Sequence, residues 1–299
     1  MTGQALPRTR LIARPDAVLR GHEIGAGPGI LLLHAGGERR QVWDPVTRVL
    51  ADAGFRCVAF DQRGHGESTG SARTLDAVAG DVRAMLDTEP GACVVVGASL
   101  GGLAALAALE SRQSLPDPRR PPNADSTRGT DAPHGAGGPY SAEGRDGAEG
   151  RDGASCPGVE GGVVGLVLVD VVPDPDPERV RRFLAARDPL QVFKPLVDDI
   201  LDQAPRLRKA AAELDVPVLL VRGGERSALS GEDVQRFLSL VPHATTASVP
   251  GAGHLIARDE PDALAAIIVA AATEWTGRPH SSHPTSRRAD DPSGVPKTP

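Results

Sequence analysis

The stretch that most constrains this chain is "CVVVGASLGGLAALAALES", residues 93–111. A β-branched run enters Gly97-Ala98-Ser99-Leu100-Gly101 and leaves as an Ala- and Leu-rich helical pattern, with nothing left over for a loop. Strand, tight turn and helix must then follow one another directly, which forces Ser99 into strained backbone geometry. The glycines remove Cβ atoms that would collide in such a turn. The hydroxyl of Ser99 is lifted above the strand ends, at the positive end of the following helix. G-x-S-x-G alone is a weak pattern. A strand before it and a helix after it make it specific, as a nucleophile elbow.

The rest of the chain repeats the alternation. "GILLLH" (29–34), "RCVAFD" (56–61), "GVVGLVLVD" (162–170), "VPVLLVR" (216–222) and "TTASVP" (245–250) read as strands beside the run at 92–98. Helical spacing is found at 42–54, 74–87, 99–111, 231–241 and 261–275. Strands that are apolar throughout are those covered on both faces, so the fold class expected is α/β: a mostly parallel sheet flanked by helices. Residues 9–25 add candidate antiparallel edge strands.

Three segments break the rhythm. Residues 112–161 are rich in Pro, Gly, Asp, Arg and Ser and carry the tandem "EGRDGAEGRDGA", so a disordered low-complexity insertion is expected there. The tail 278–299 has the same character. Residues 172–213 differ, because apolar residues recur at helical spacing between prolines, and they predict a short helical lid. The core is thereby divided into 1–111, 162–171 and 214–277.

Composition excludes some function classes. A formal net charge of −6 gives no basic footprint for nucleic acid or an anionic membrane, and 3% aromatics leaves little for base stacking. Cys57, Cys93 and Cys156 show no metal-ligand spacing and form no disulfide framework. No signal-like N-terminus and no bilayer-length apolar run stand out, so the expectation is a cytoplasmic protein acting on a small molecule, without metal or organic cofactor. The sequence is silent on oligomeric state.

Four further motifs accompany the elbow: "HAGG" (34–37), "DQRGHGES" (61–68), "GLVLVDVVP" (165–173) and "GAGHLI" (251–256). Together they resemble the α/β-hydrolase family, over about 28–111, 162–171 and 214–276. The resemblance implies an oxyanion hole built from the N–H groups of Ala35 and Leu100. It also implies structural roles for His34, Asp61 and Arg63, and a late histidine as base. A serine hydroxyl near neutral pH needs such a base. His254, after the last strand and a flexible Gly pair, is the candidate; His243 reads as an exposed loop residue.

The third catalytic position is where this chain departs from its relatives. A common pattern resembles R-G-x-x-S-D-x-x-S, and laid on "RGGERSALS" (222–230) it puts Ser227 where the aspartate is expected. Three readings compete: Asp170 at the end of the preceding strand, Glu225 two residues away, or no acid at all. Asp170 is the one adopted, because it lies between Ser99 and His254 in chain order and a parallel sheet puts it at the same edge as Ser99. The expected function is a serine hydrolase cleaving an ester, thioester or lactone of a small-to-medium apolar substrate through an acyl-enzyme on Ser99. The alternatives are a non-hydrolytic lyase, cyclase or acyl transferase, and a non-catalytic ligand-binding relative. Trp43 is read either as a pocket wall or as helix packing.

Overall fold

The computed structural model describes residues 7–113, 162–185 and 192–277. Most of the expected insertion, the whole expected tail, and the part of the expected lid that holds Leu190 lie outside the described residues. Within them, eight strands form one sheet in the order β1-β2-β4-β3-β5-β6-β7-β8. β1 (Arg8–Arg14) and β2 (Ala17–Gly25) make an antiparallel hairpin that joins the sheet through β4 (Arg56–Phe60). β3 (Gly29–Leu33), β5 (Cys93–Ala98), β6 (Val163–Val169), β7 (Val218–Gly223) and β8 (Thr245–Val249) run parallel, as does the β3–β4 pair.

Side chains alternate between the faces of a strand, so each apolar run feeds two cores. Leu31, Leu33, Val95, Leu166 and Leu168 join one buried cluster, while Ile30, Leu32, Val94, Val96, Val167 and Val169 join the other. The first face is covered by α2 (Leu75–Asp87), α3 (Leu100–Gln113) and α7 (Gly231–Leu240), through residues such as Val78, Leu106 and Phe237. The second is covered by α1 (Asp44–Asp52), the short α8 (Ile256–Asp259) and α9 (Pro261–Trp275), through residues such as Leu50, Ile256 and Ile268. Helix α3 reaches Gln113, one residue past the expected start of the insertion.

Among the described residues, three helices lie between β6 and β7: α4 (Pro177–Ala185), α5 (Lys194–Asp202) and α6 (Ala204–Ala212). Leu207 and Ala211 of α6 are buried in the first core cluster, and α6 packs on α3. An amphipathic stripe looks the same in sequence whether it covers a cleft or a sheet, and α6 covers the sheet side. Trp43, read as pocket wall or packing, is packing: it is 0% exposed in the second core cluster. No helix among the described residues is long and apolar enough to cross a membrane.

From β3 the chain departs toward β4 on one side, and β5 lies on the other. The loops leaving β3 and β5 diverge here, and in open α/β sheets this opens a crevice at the carboxyl ends of the strands.

Candidate active site

Ser99 directly follows β5 with φ of 47°. The turn is closed on both sides: a Cβ at Gly97 would lie 2.5 Å from the Gly102 backbone, and one at Gly101 would lie 2.4 Å from the Leu33 carbonyl oxygen. Both contacts are with backbone, which cannot step aside, so the elbow admits only glycine at these positions. Leu100 opens α3, and an N–H at the first turn of a helix has no intrahelical acceptor.

One strand over, Asp170 directly follows β6 with φ of 52° and is 1% exposed. Its Oδ2 accepts from His254 Nδ1 at 2.9 Å and from the Ala228 N–H at 2.8 Å. Its Oδ1 accepts from the Gly223 N–H at 3.0 Å and from the Ser227 hydroxyl. The carboxylate against the imidazole is thus that of Asp170. Ser227, at the position where the familiar pattern has aspartate, turns its hydroxyl toward Asp170 and is held in turn by the Leu229 N–H at 3.0 Å. Glu225 is exposed on the same turn. His243 is exposed and sits against the Val216 carbonyl, away from these groups.

The loop 34–38 leaving β3 is held by two imidazoles. His34 Nε2 accepts from the Gln62 N–H at 3.0 Å, so its proton is on Nδ1 and is donated to the Ala35 carbonyl at 2.8 Å. His65 repeats the scheme: Nε2 accepts from the Gly37 N–H at 3.0 Å, and Nδ1 donates to the Arg63 carbonyl at 3.0 Å. Burial pushes His34 down to about 4 and lowers His65 as well, so both rings are neutral near pH 7. Ala35 is 2% exposed and Gly36 faces the cleft. Beneath them Asp61, fully buried, accepts from the Arg40 and Glu67 N–H groups and from the Arg40 guanidinium. Arg63 is paired with Asp81 and Asp16. His34, Asp61 and Arg63 are therefore engaged in shaping loops, as the motif implies.

Ser99, Leu100, Ser227 and His254 line a cleft of about 600 Å³. Its apolar wall comes from Leu103, Val171, Val172 and Leu229, and from Phe193, Leu196, Val197 and Ile200 at α5. Val192 is 62% exposed and is not part of that wall, and Leu184 lies among the side chains not described. The rim carries charge that apolar spacing did not reveal: Arg182, Arg226 and Arg258 face the cleft with Asp176 and Asp259. Arg179 of α4 donates to the Ala228 carbonyl and to Asp233, both at 2.6 Å, and so fastens α4 to the turn that cradles Asp170. Arg258 pairs at 3.0 Å with Glu38, whose carboxyl is raised by burial. Among the described residues no group of three or more His, Cys, Asp or Glu side chains is placed to hold a metal ion.

The sequence pattern of the alpha/beta hydrolase family matches residues 30–267. A protein of Variovorax paradoxus (strain S110), provisionally named carbamate hydrolase RutD, is 37% identical over 89 residues. That match takes in 28% of this chain and 34% of the relative, so the chain aligns with about a third of that protein's length. Among solved structures, a haloalkane dehalogenase variant from Bradyrhizobium elkanii superposes with a TM-score of 0.63 at 13% identity, over 91% of this chain and 99% of its own. E-2-(acetamidomethylene)succinate hydrolase gives 0.60 at 20% identity, over 91% and 100%. An esterase from Exiguobacterium antarcticum gives 0.58 at 14% identity, over 85% and 95%. At these identities the structures speak for the fold alone.

Proposed function

This chain belongs to the alpha/beta hydrolase family, and on that premise we propose that it is a serine hydrolase that cleaves an ester, thioester or lactone through an acyl-enzyme on Ser99. The observation that carries the proposal is the 2.9 Å contact between His254 Nδ1 and Asp170 Oδ2, in a cleft that Ser99 and His254 both line. A carboxylate on Nδ1 leaves Nε2 as the basic nitrogen, which is the atom a serine proton must reach.

In the proposed reaction Ser99 Oγ attacks the substrate carbonyl while His254 Nε2 takes its proton. Asp170 stays ionised and stabilises the imidazolium. The oxyanion is met by the N–H groups of Ala35 and Leu100, and each such donor is worth about 10²–10³ in rate. Two other N–H groups of that loop have partners already: Gly37 donates to His65 and Glu38 to the Ala35 carbonyl. Collapse of the tetrahedral adduct expels the alcohol or thiol, which takes the proton from His254. Water then repeats the sequence on the acyl-enzyme, with His254 again as base, and releases the acid and free Ser99.

The apolar wall fits a small-to-medium acyl or leaving group, covered by α4 and α5. Readings without hydrolysis rest on the departure at Ser227 and on the short lid; Asp170 beside His254 favours hydrolysis over them. Relatives named for a carbamate and for an acetamidomethylene compound extend the substrate panel to those bonds. The test is labelling by a fluorophosphonate, followed by turnover of a panel of activated esters, thioesters, lactones and carbamates. Wild type should label at Ser99 and turn over at least one class, and Ser99→Ala should do neither. An unlabelled wild type that turns over nothing in the panel would sink the proposal.

A further inference from the structure

One ring links the loop after β3 to the wall of the cleft. His65 is 4% exposed, and the reaction above gives it no task. Its Nε2 holds the Gly37 N–H, and one face of its ring stacks on Phe193 with centroids 4.8 Å apart and planes 13° apart. His34 flanks it with centroids 5.1 Å apart, tilted by 59°. Phe193 immediately precedes α5 and lines the cleft.

Gly37 has φ of 78°, and a Cβ there would meet nothing within 4 Å. Packing does not restrain this residue, and glycine is the least restrained residue type. The Glu38 N–H closes a turn on the Ala35 carbonyl at 3.1 Å, and within that turn the central peptide plane between Gly36 and Gly37 can flip, so the hydrogen bond to His65 is what sets its orientation. That plane lies in the same short turn as the Ala35 N–H, whose aim decides whether it meets an oxyanion at 2.7–3.1 Å. Helix α5 is secured independently of Phe193: Leu196 and Ile200 are buried, and Asp199 Oδ2 accepts from the Leu75 N–H at 2.7 Å. The Phe193 ring can thus be altered without loss of the helix.

We propose that His65 is a positioning residue for the oxyanion loop, and that Phe193, by holding its ring flat, couples the start of α5 to that loop. What occupies the cleft beside Phe193 then changes turnover as well as binding. This inference rests on the serine-hydrolase reading for its kinetic consequence, but not for its structural one. Amide hydrogen exchange at Gly37 reads the coupling in the free protein. His65→Phe keeps a ring and removes the acceptor; His65→Gln offers an acceptor near the Nε2 position and removes the ring; Phe193→Leu removes only the stack.

Exchange at Gly37 should rise at least tenfold in His65→Phe and severalfold in Phe193→Leu, with His65→Gln between His65→Phe and wild type. Unchanged exchange in Phe193→Leu overturns the coupling even if no ester is turned over. With p-nitrophenyl acetate, His65→Phe should lower kcat about tenfold with KM little changed. Phe193→Leu should lower kcat in wild type but add nothing in the His65→Phe background. Equal effects in both backgrounds would mean that Phe193 acts on substrate directly, and His65→Gln no better than His65→Phe would mean that the acceptor is irrelevant; either overturns the proposal. Loss of labelling and turnover in wild type would instead fault the serine-hydrolase reading.

Discussion

Replacing Asp170 by Asn is the sharpest single test of the site. The carboxylate is 1% exposed and faces four donors: the Gly223 N–H and Ser227 hydroxyl on Oδ1, and the Ala228 N–H and His254 Nδ1 on Oδ2. An amide keeps one acceptor oxygen and puts an NH₂ against the other pair. With the NH₂ toward His254, the imidazole can be accommodated only by moving its proton to Nε2, the nitrogen that must receive the serine proton. With the NH₂ toward Gly223, the serine hydroxyl can rotate but the backbone N–H cannot. The arrangement that costs no more is therefore the one toward His254, where Ser227 and Gly223 keep their acceptor and the imidazole changes tautomer. Either arrangement leaves a backbone donor unsatisfied, at about 1–3 kcal/mol of stability. The wrong tautomer costs about 10⁴ in kcat, or roughly 5.4 kcal/mol of transition-state stabilisation. The rate loss therefore exceeds the stability loss, and the two can be read separately. The assay is kcat/KM on an activated ester, with thermal unfolding by circular dichroism on the same samples. Asp170→Asn should lose about four decades while remaining folded, and Glu225→Gln should stay within about twofold. A folded Asp170→Asn within tenfold of wild type, or a hundredfold loss in Glu225→Gln, would refute the assignment.

Placing the acid in the more familiar position offers a complement: Ser227→Asp added to Asp170→Asn should recover at least tenfold in kcat/KM, because the 227 side chain already points at the same carboxylate site. No recovery would show that the two positions do not serve one imidazole. Gly101→Ala should lower the unfolding midpoint by several degrees, since its Cβ would lie 2.4 Å from the Leu33 carbonyl oxygen and overpacking costs about 1–3 kcal/mol; an unchanged midpoint would mean that the elbow is not pressed against β3. Acid should destabilise the fold through His34. Above pH 6.5 the ring is neutral both folded and unfolded, and it contributes no pH dependence. Between 6.5 and about 4 only the unfolded chain takes up the proton, so stability falls with pH by on the order of 3 kcal/mol. Denaturant midpoints measured from pH 7 to pH 4 should therefore drop less steeply in His34→Asn than in wild type, and parallel curves would contradict this.

What was legible in the sequence follows from how local its causes are. The elbow is a strand, a turn and a helix with no slack, so the backbone of Ser99 was determined by its neighbours, and the contacts at Gly97 and Gly101 are the physical form of that constraint. The two-faced strands were legible because burial on both sides suppresses polar alternation. The carboxylate facing His254 was legible only as the first of competing candidates, Asp170 ahead of Glu225, because its location depends on β6 and β7 lying side by side, a pairing between segments about 50 residues apart. Ends of adjacent parallel strands deliver side chains to the same edge, so an acid after either one can reach the same imidazole. The role of α6 was hidden for the opposite reason: its amphipathic stripe was visible, but the surface that it faces was not. The charged rim needed the placement of α4 and α5, on which periodicity says nothing.

Backbone strain supplies a further argument about position 170. Among the described residues only Ser99 and Asp170 are non-glycine with positive φ, at 47° and 52°. Such conformations cost on the order of 1–3 kcal/mol and persist only where surrounding contacts over-determine them. Both lie at the ends of neighbouring strands, and each is joined across the sheet: the Ser99 N–H donates to the Val169 carbonyl at 3.2 Å, and the Asp170 N–H to the Val221 carbonyl at 2.8 Å. If the left-handed turn were all that position 170 required, asparagine would serve as well as aspartate, since both tolerate that region. Asparagine cannot accept from four donors at once, and aspartate can. The four hydrogen bonds therefore select for charge as well as for shape at residue 170, and one of the four donors is His254.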